Sequence, residues 1–209
     1  MKYENHHDRK YEDEEYYLGI KPSVMCDQVM EIIQPSSDYH PRLLDLGCGE
    51  GRNAVYFAKH GFEVFALDAS FPRLERTKRY AEEVEVYLET IQADIINYQL
   101  ENTYDVIFST GTLHYLPPAV RRQCFQNYKD CTSPDGINAL SVFVRKPFIP
   151  REPDTEPDTH PYASGELMFY YWDWEILYCT EDIFEYTSGG VTHKHAIDRI
   201  IARRYRDTS

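Results

Sequence analysis

The segment Leu43-Leu44-Asp45-Leu46-Gly47-Cys48-Gly49-Glu50-Gly51-Arg52-Asn53 constrains this chain more than any other. An apolar run too short for a helix meets Gly-x-Gly-x-Gly, and an amphipathic stretch follows directly. Glycine admits left-handed backbone and lets a ligand approach the main chain, so this reads as strand, tight turn, helix. The dinucleotide fingerprint Gly-x-Gly-x-x-Gly would place its third glycine one residue later, where Arg52 stands. The spacing therefore favours a turn that holds a nucleoside over one that holds a pyrophosphate.

The alternation continues along the chain. A helix is expected over 51–60, with Ala54, Phe57 and Ala58 on one face and Gly61 as its stop. A second strand follows over 63–67. Ser70 caps a helix over 71–83, with Pro72 in its first turn. Further strands are expected over 85–92, 105–110 and 137–144. A helix from Pro117-Pro118 to Cys131 lies between the last two, with Val120, Cys124, Tyr128 and Cys131 on one face. Such repetition implies an α/β fold with a parallel sheet and right-handed crossovers. Pro134-Asp135-Gly136 is expected as a turn. Strands near 174–179 and 196–202 are expected to close the sheet as an antiparallel edge pair. The first 40 residues read as a charged, Tyr-rich arm with one helix over 24–33. Five prolines between 147 and 161 exclude a regular element there, and a loop of that length is a candidate lid.

Ligands of open α/β sheets bind at the carboxyl ends of the strands. Acids follow three successive strands here: Asp45 at the glycine turn, Asp68 after Leu67, and Asp94 after Ala93. Asp68 is placed to accept from ribose hydroxyls, and Asp94 from the exocyclic amine of adenine. A lone strand-end Asp usually serves as a helix cap, but caps alone explain three in succession poorly.

Charge narrows the ligand class. Twenty-two Lys and Arg against 35 Asp and Glu give a net charge of −13. That balance opposes a nucleic-acid partner and leaves small molecules. No apolar run approaches the ~20 residues of a membrane span, and Met1 to Lys10 lacks the apolar core of a secretory signal. Five cysteines without a Cys-x-x-Cys pair fit reduced thiols, so the expected setting is cytoplasmic and no metal site is expected. A monomer or homodimer is expected.

The residues resemble the class I S-adenosylmethionine-dependent methyltransferases. The likeness is carried by Asp45 to Gly51, Asp68, Asp94, Tyr104 to Thr110 with Gly111 to Leu116 behind it, and Pro134-Asp135-Gly136. It covers about residues 41 to 145. It implies a Rossmann-like, mostly parallel seven-stranded sheet with helices on both faces and an antiparallel edge. It implies one domain: a cofactor-covering arm over 1–40, a core over 41–145, and substrate-side elements over 146–209. S-adenosylmethionine would be held by Asp45, Gly47, Cys48, Gly49, Arg52 and Asn53 at the turn. Asp68, Ala69 and Ser70, then Ala93, Asp94 and Ile95, then Ser109 and Thr110 would follow. Tyr17 in the arm would face the sulfonium, where a cation–π contact contributes ~1 kcal/mol; Tyr16 is an equal candidate, and either can instead pack at a core edge.

The carboxyl-terminal part resembles the TehB-type tellurite-resistance subgroup, through Gly165-Glu166-Leu167, Tyr170-Tyr171, Trp174-Glu175 and Ala202-Arg203-Arg204. That subgroup carries His and Arg between the last two strands, whereas residues 185–195 offer His193, Lys194 and His195 without Arg. The implied activity is methyl transfer to a small acceptor, a thiol or a tellurium or selenium oxyanion. The alternatives are O- or N-methylation of a small metabolite, or cofactor binding without catalysis. Candidate catalytic residues are His114, as a base or orienting group, and His193 and His195, which share a strand face and suit an anion or a proton. Each has a plain alternative: a backbone-bonded turn residue for His114, a solvated edge for the pair. Tyr170, Tyr171, Trp172 and Trp174 are candidates for a pocket wall or for packing.

Overall fold

A computed structural model describes residues 19–150, 158–188 and 191–205. The chain divides into two compact units, Met1–Ile95 and Ile96–Ser209.

In the first unit, α1 (Val24–Ile32) starts at Ser23, whose side chain accepts from the Met25 N–H, and buries Met25, Cys26 and Val29. β1 (Arg42–Leu46) leads through the glycine turn into α2 (Arg52–Lys59). β2 (Glu63–Asp68), α3 (Phe71–Glu83) and β3 (Glu89–Gln92) follow. The strands lie side by side in the order β3, β2, β1 and run parallel, with Leu46 level with Leu67 and Asp68 level with Gln92. That register brings the residues after each strand to one edge. β3 begins four residues later than expected because Glu85 adopts a left-handed φ of 57°, which extends the turn out of α3. Ser70 is the N-cap residue of α3, but its side chain makes no capping bond; Asp68 takes the Ser70 N–H instead.

The second unit contains β4 (Tyr104–Ser109), a 3₁₀ turn (Leu113–Tyr115), α4 (Pro118–Asp130), β5 (Thr132–Val144), α5 (Glu166–Tyr170), β6 (Glu175–Ser188) and β7 (Val191–Arg203). β4 and β5 pair in parallel, and β7 lies antiparallel between β5 and β6. Seven strands, mostly parallel and ending in an antiparallel edge, give the expected fold class. Three differences have physical causes. Pro134-Asp135-Gly136 does not precede β5 but bulges within it, so Tyr104 faces Thr132 while Val106 faces Ile137. The Asp135 N–H and Gly136 carbonyl find their partners on Arg204 instead. The buried face of α4 carries Arg121, Phe125, Asn127 and Tyr128, so of the expected stripe Tyr128 is buried while Val120, Cys124 and Cys131 are half-buried. The last two strands are longer than expected because they pair with each other from Glu175–Arg203 to Ser188–Val191.

The aromatic run near α5 serves packing. Tyr170 stacks on Phe125 with ring centroids 4.3 Å apart. Tyr171 is buried and its hydroxyl accepts from Asn138 Nδ2 at 2.9 Å, while Trp172 faces outward. Residues 151–157, the centre of the expected lid, lie outside the described residues, as do Tyr16 and Tyr17. Among the described residues, no helix is long and apolar enough to cross a membrane.

Gly51 joins local backbone to packing. Its φ is +88°, and a Cβ there would meet Thr77 Cγ2 on α3 at 2.7 Å. Gly51→Ala should therefore cost about 2–4 kcal/mol, strain and overpacking together, in urea unfolding. A loss below about 0.5 kcal/mol would contradict this packing account.

Candidate functional site

The glycine turn is built by bonds to the end of β2. Gly47 and Cys48 both donate their N–H to the Leu67 carbonyl, at 2.7 and 2.9 Å. Asp68, 7% exposed, accepts from the Gly49 N–H at Oδ2 and from the Ser70 N–H at Oδ1, both at 2.9 Å. One carboxylate thus ties the turn after β1 to the start of α3. Gly49 has a φ of +59°, and an added Cβ would meet nothing within 4 Å. The backbone is therefore open to a ligand on that side, as a turn that holds one must be.

Asp45, in β1 just before the turn, is 1% exposed, and its Oδ2 is buried without a hydrogen-bond partner. Burial pushes its carboxyl up to about 7, with Arg52 opposing and Asp68 adding to the rise. An unsatisfied acceptor this deeply buried is rare.

Arg52 is half-buried at the first position of α2. Asn53 is buried with its Oδ1 turned to α1, where it accepts from the Ser23 N–H at 2.9 Å and from the Cys26 thiol at 3.4 Å. Cys48 is buried, with its sulfur 4.0 Å from Thr77 Oγ1. Burial raises its thiol well above the ordinary value, so it is no ready nucleophile. Ala69 is exposed beside Asp68, and Ser70 is half-buried. The Ala93 N–H donates to the Asp68 carbonyl at 3.1 Å, and half-buried Asp94 and buried Ile95 come next. The first unit therefore gathers the expected residues of the turn, of 68–70 and of 93–95 along one sheet edge.

In the second unit, Ser109 is fully buried at the end of β4, and Thr110 is half-buried after it. His114 is 7% exposed, and its ring lies 4.9 Å from that of Phe143 on β5. His195 reaches the same ring from β7, at 5.3 Å, and stacks against Phe184 at 5.5 Å. Two of the three candidate histidines thus flank one phenylalanine. His193 lies two residues along β7, half-buried, in register with Tyr186. Sequence reasoning missed Phe143, whose ring joins them; nothing in a strand of apolar residues marks the one that bridges two histidines. It also missed Arg121, described below.

The glycine turn and strand-end acids belong to the Rossmann-like fold of the class I methyltransferases. Within that class, the sequence profile of the TehB family, described as tellurite resistance protein TehB, matches residues 2–195, and the chain belongs to this family. It is 28% identical over 144 residues to the "Probable S-adenosyl-L-methionine-dependent methyltransferase TehB" of Haemophilus influenzae, a match covering 69% of this chain and 49% of the relative. It is 26% identical over 147 residues to the "2-heptyl-1-hydroxyquinolin-4(1H)-one methyltransferase" of Mycobacteroides abscessus, covering 69% and 64%. The crystal structure of Haemophilus influenzae TehB superposes with a TM-score of 0.76 at 26% identity, over 86% of this chain and 61% of that one. The chain thus spans about half the length of the TehB relative.

Asp45 makes the fold sensitive to pH. Its folded value near 7 stands above its ordinary 3.8, so the folded state holds the extra proton between those limits. Stability should fall as pH rises through that window, by about 1.4 kcal/mol per pH unit from this group. The slope should become shallower in Asp45→Asn, the remainder coming from Asp198, whose carboxyl is pushed up to about 6 by burial. Equal slopes in urea titrations of both proteins from pH 4.5 to 7 would contradict the assignment.

Proposed function

We propose that the protein transfers a methyl group from S-adenosylmethionine to a small-molecule acceptor. The observation that carries this reading is the open Gly49 backbone bonded to the Asp68 carboxylate, together with the unsatisfied Oδ2 of Asp45 in the strand before the turn. The residues present fit the cofactor: Asp68 offers a carboxylate for ribose hydroxyls, Asp94 an acceptor for adenine, and Asp45 a reserved acceptor for the ammonium of the methionyl part. Gly47, Cys48, Arg52, Ala69, Ser70, Ala93, Ile95, Ser109 and Thr110 complete the proposed binding set. Asn53 contributes by holding α1 through its Oδ1, which accepts from the Ser23 N–H and the Cys26 thiol.

When bound, S-adenosylmethionine supplies an electrophilic methyl on a sulfonium, whose departure as a neutral thioether needs no acid. What the chain must do is align the acceptor and keep water out. A base matters only for an acceptor that arrives protonated. His114 and His195, on either side of Phe143, are the proposed groups for taking such a proton or holding an anionic acceptor. His193 extends the same strand face.

For the acceptor we favour a soft nucleophile, a thiol or a tellurium or selenium oxyanion. Family membership supports it, and two histidines near one site suit an anion. The quinolone methyltransferase relative supports a second reading, methylation of a hydroxyl on a flat ring. The half-buried ring of Phe143, with His114 and His195 against it, would be the aromatic contact for such a ring.

The test is release of S-adenosylhomocysteine across thiols, tellurite, selenite, hydroxyquinolones, phenols and amines. Turnover with one class, at least about tenfold above the acceptor-free rate, is the expected result. His114→Ala should cut a hydroxyl reaction by about 10²-fold or more and a thiolate reaction far less. A flat panel from protein that binds the cofactor would contradict methyl transfer to these acceptors and favour a non-catalytic cofactor binder.

A further inference from the structure

The most committed side chain outside the glycine turn belongs to Arg121. It lies on the buried face of α4 with only 2% of its side chain exposed. Its Nε donates to the Leu116 carbonyl at 3.0 Å, and its Nη1 to Glu166 Oε1 at 2.8 Å. Its Nη2 donates to the His160 carbonyl. The guanidinium lies over the Tyr162 ring, 3.6 Å from its centroid.

These partners converge on one short segment. The Tyr162 hydroxyl donates to the Leu113 carbonyl at 3.0 Å, and the His160 N–H donates to the His114 carbonyl at 2.7 Å. The carbonyls of Leu113, His114 and Leu116 therefore all receive hydrogen bonds from Arg121 or from residues that Arg121 holds. Glu166 completes the frame by accepting from the Ala163 N–H at 3.0 Å and from the Tyr170 hydroxyl at 3.1 Å. A buried charge is retained only where its partners are nearly complete, and here they are. The planar fork also matters: three donors point to three different elements, which a lysine ammonium on a flexible stem cannot reproduce.

We propose that Arg121 is a positioning residue for the reaction, fixing the backbone on both sides of His114 and so setting the direction of its imidazole toward Phe143. The proposal rests on the methyl-transfer reading above for its kinetic consequence, but not for its structural one. An arginine that merely filled the core would move stability and leave His114 unchanged.

The test uses the full chain and two variants, Arg121→Lys, which keeps the charge, and Arg121→Met, which removes it. Imidazole NMR signals are followed through a pH titration, with His40 and His60 of the first unit as internal controls. In Arg121→Lys the His114 signals should shift while those of His40 and His60 hold. Turnover on a hydroxyl acceptor should fall about tenfold, with affinity for S-adenosylhomocysteine unchanged within twofold. Arg121→Lys added to His114→Ala should cost no more than a further twofold, because the residue it positions is gone. His114 signals that stay in place in Arg121→Lys would overturn the proposal, as would a tenfold loss that persists in the His114→Ala background. If Arg121→Met does not fold, Arg121→Lys alone decides. If the native chain turns over no acceptor, methyl transfer fails, while the NMR result still decides for or against Arg121.

Discussion

The fold of the first unit turns on one carboxylate. Asp68 ends β2, and its two oxygens accept from Gly49 and Ser70, on either side of the strand end. The first bond fixes the glycine turn, and the second fixes the start of α3. A carboxylate accepting backbone N–H groups makes charge-assisted bonds, roughly twice as strong as neutral ones. The interaction also explains the acid and glycine content of the segment. The turn must double back tightly enough to present Gly49 to Asp68, and the left-handed Gly51 lets α2 begin immediately afterwards, against Thr77.

The second unit solves a related problem with a cation. A turn of three residues between β4 and α4 has too few internal bonds to hold His114 by itself. The surrounding carbonyls are satisfied from α4 and from the segment His160–Tyr162. Tyr162 is itself anchored, donating its N–H to Phe143 and accepting from Arg145. In each unit, a buried or nearly buried charge binds backbone groups beside a candidate functional residue. Asp45 differs, since its Oδ2 is left without a partner. An unsatisfied buried acceptor costs about 1–3 kcal/mol.

How much was legible follows from the range of each signal. The glycine turn, the acids and the first two strands were legible because glycine freedom and short apolar runs act locally. The start of β3 was not, since Glu85 adopts a left-handed conformation that its residue type does not announce. Pro134-Asp135-Gly136 has the residue signature of a turn, and the bonds that make it a bulge come from Arg204, far along the chain. Periodicity alone draws the stripe on α4 through Val120, Cys124, Tyr128 and Cys131, because an arginine is normally a solvent residue. Only tertiary partners make Arg121 a core residue. The candidate site followed the same rule: individual histidines were legible, and the shared ring of Phe143 between His114 and His195 was not.

The central claim is that the glycine turn and Asp68 hold S-adenosylmethionine. Isothermal calorimetry of S-adenosylhomocysteine binding to the native chain and to Asp68→Asn tests it most directly, with NADH as a competitor. The account predicts one site per chain, indifference to NADH, and affinity at least about tenfold weaker in the variant, the cost of a lost charged hydrogen bond. No heat of binding in the native chain, or equal affinity in the variant, would contradict it.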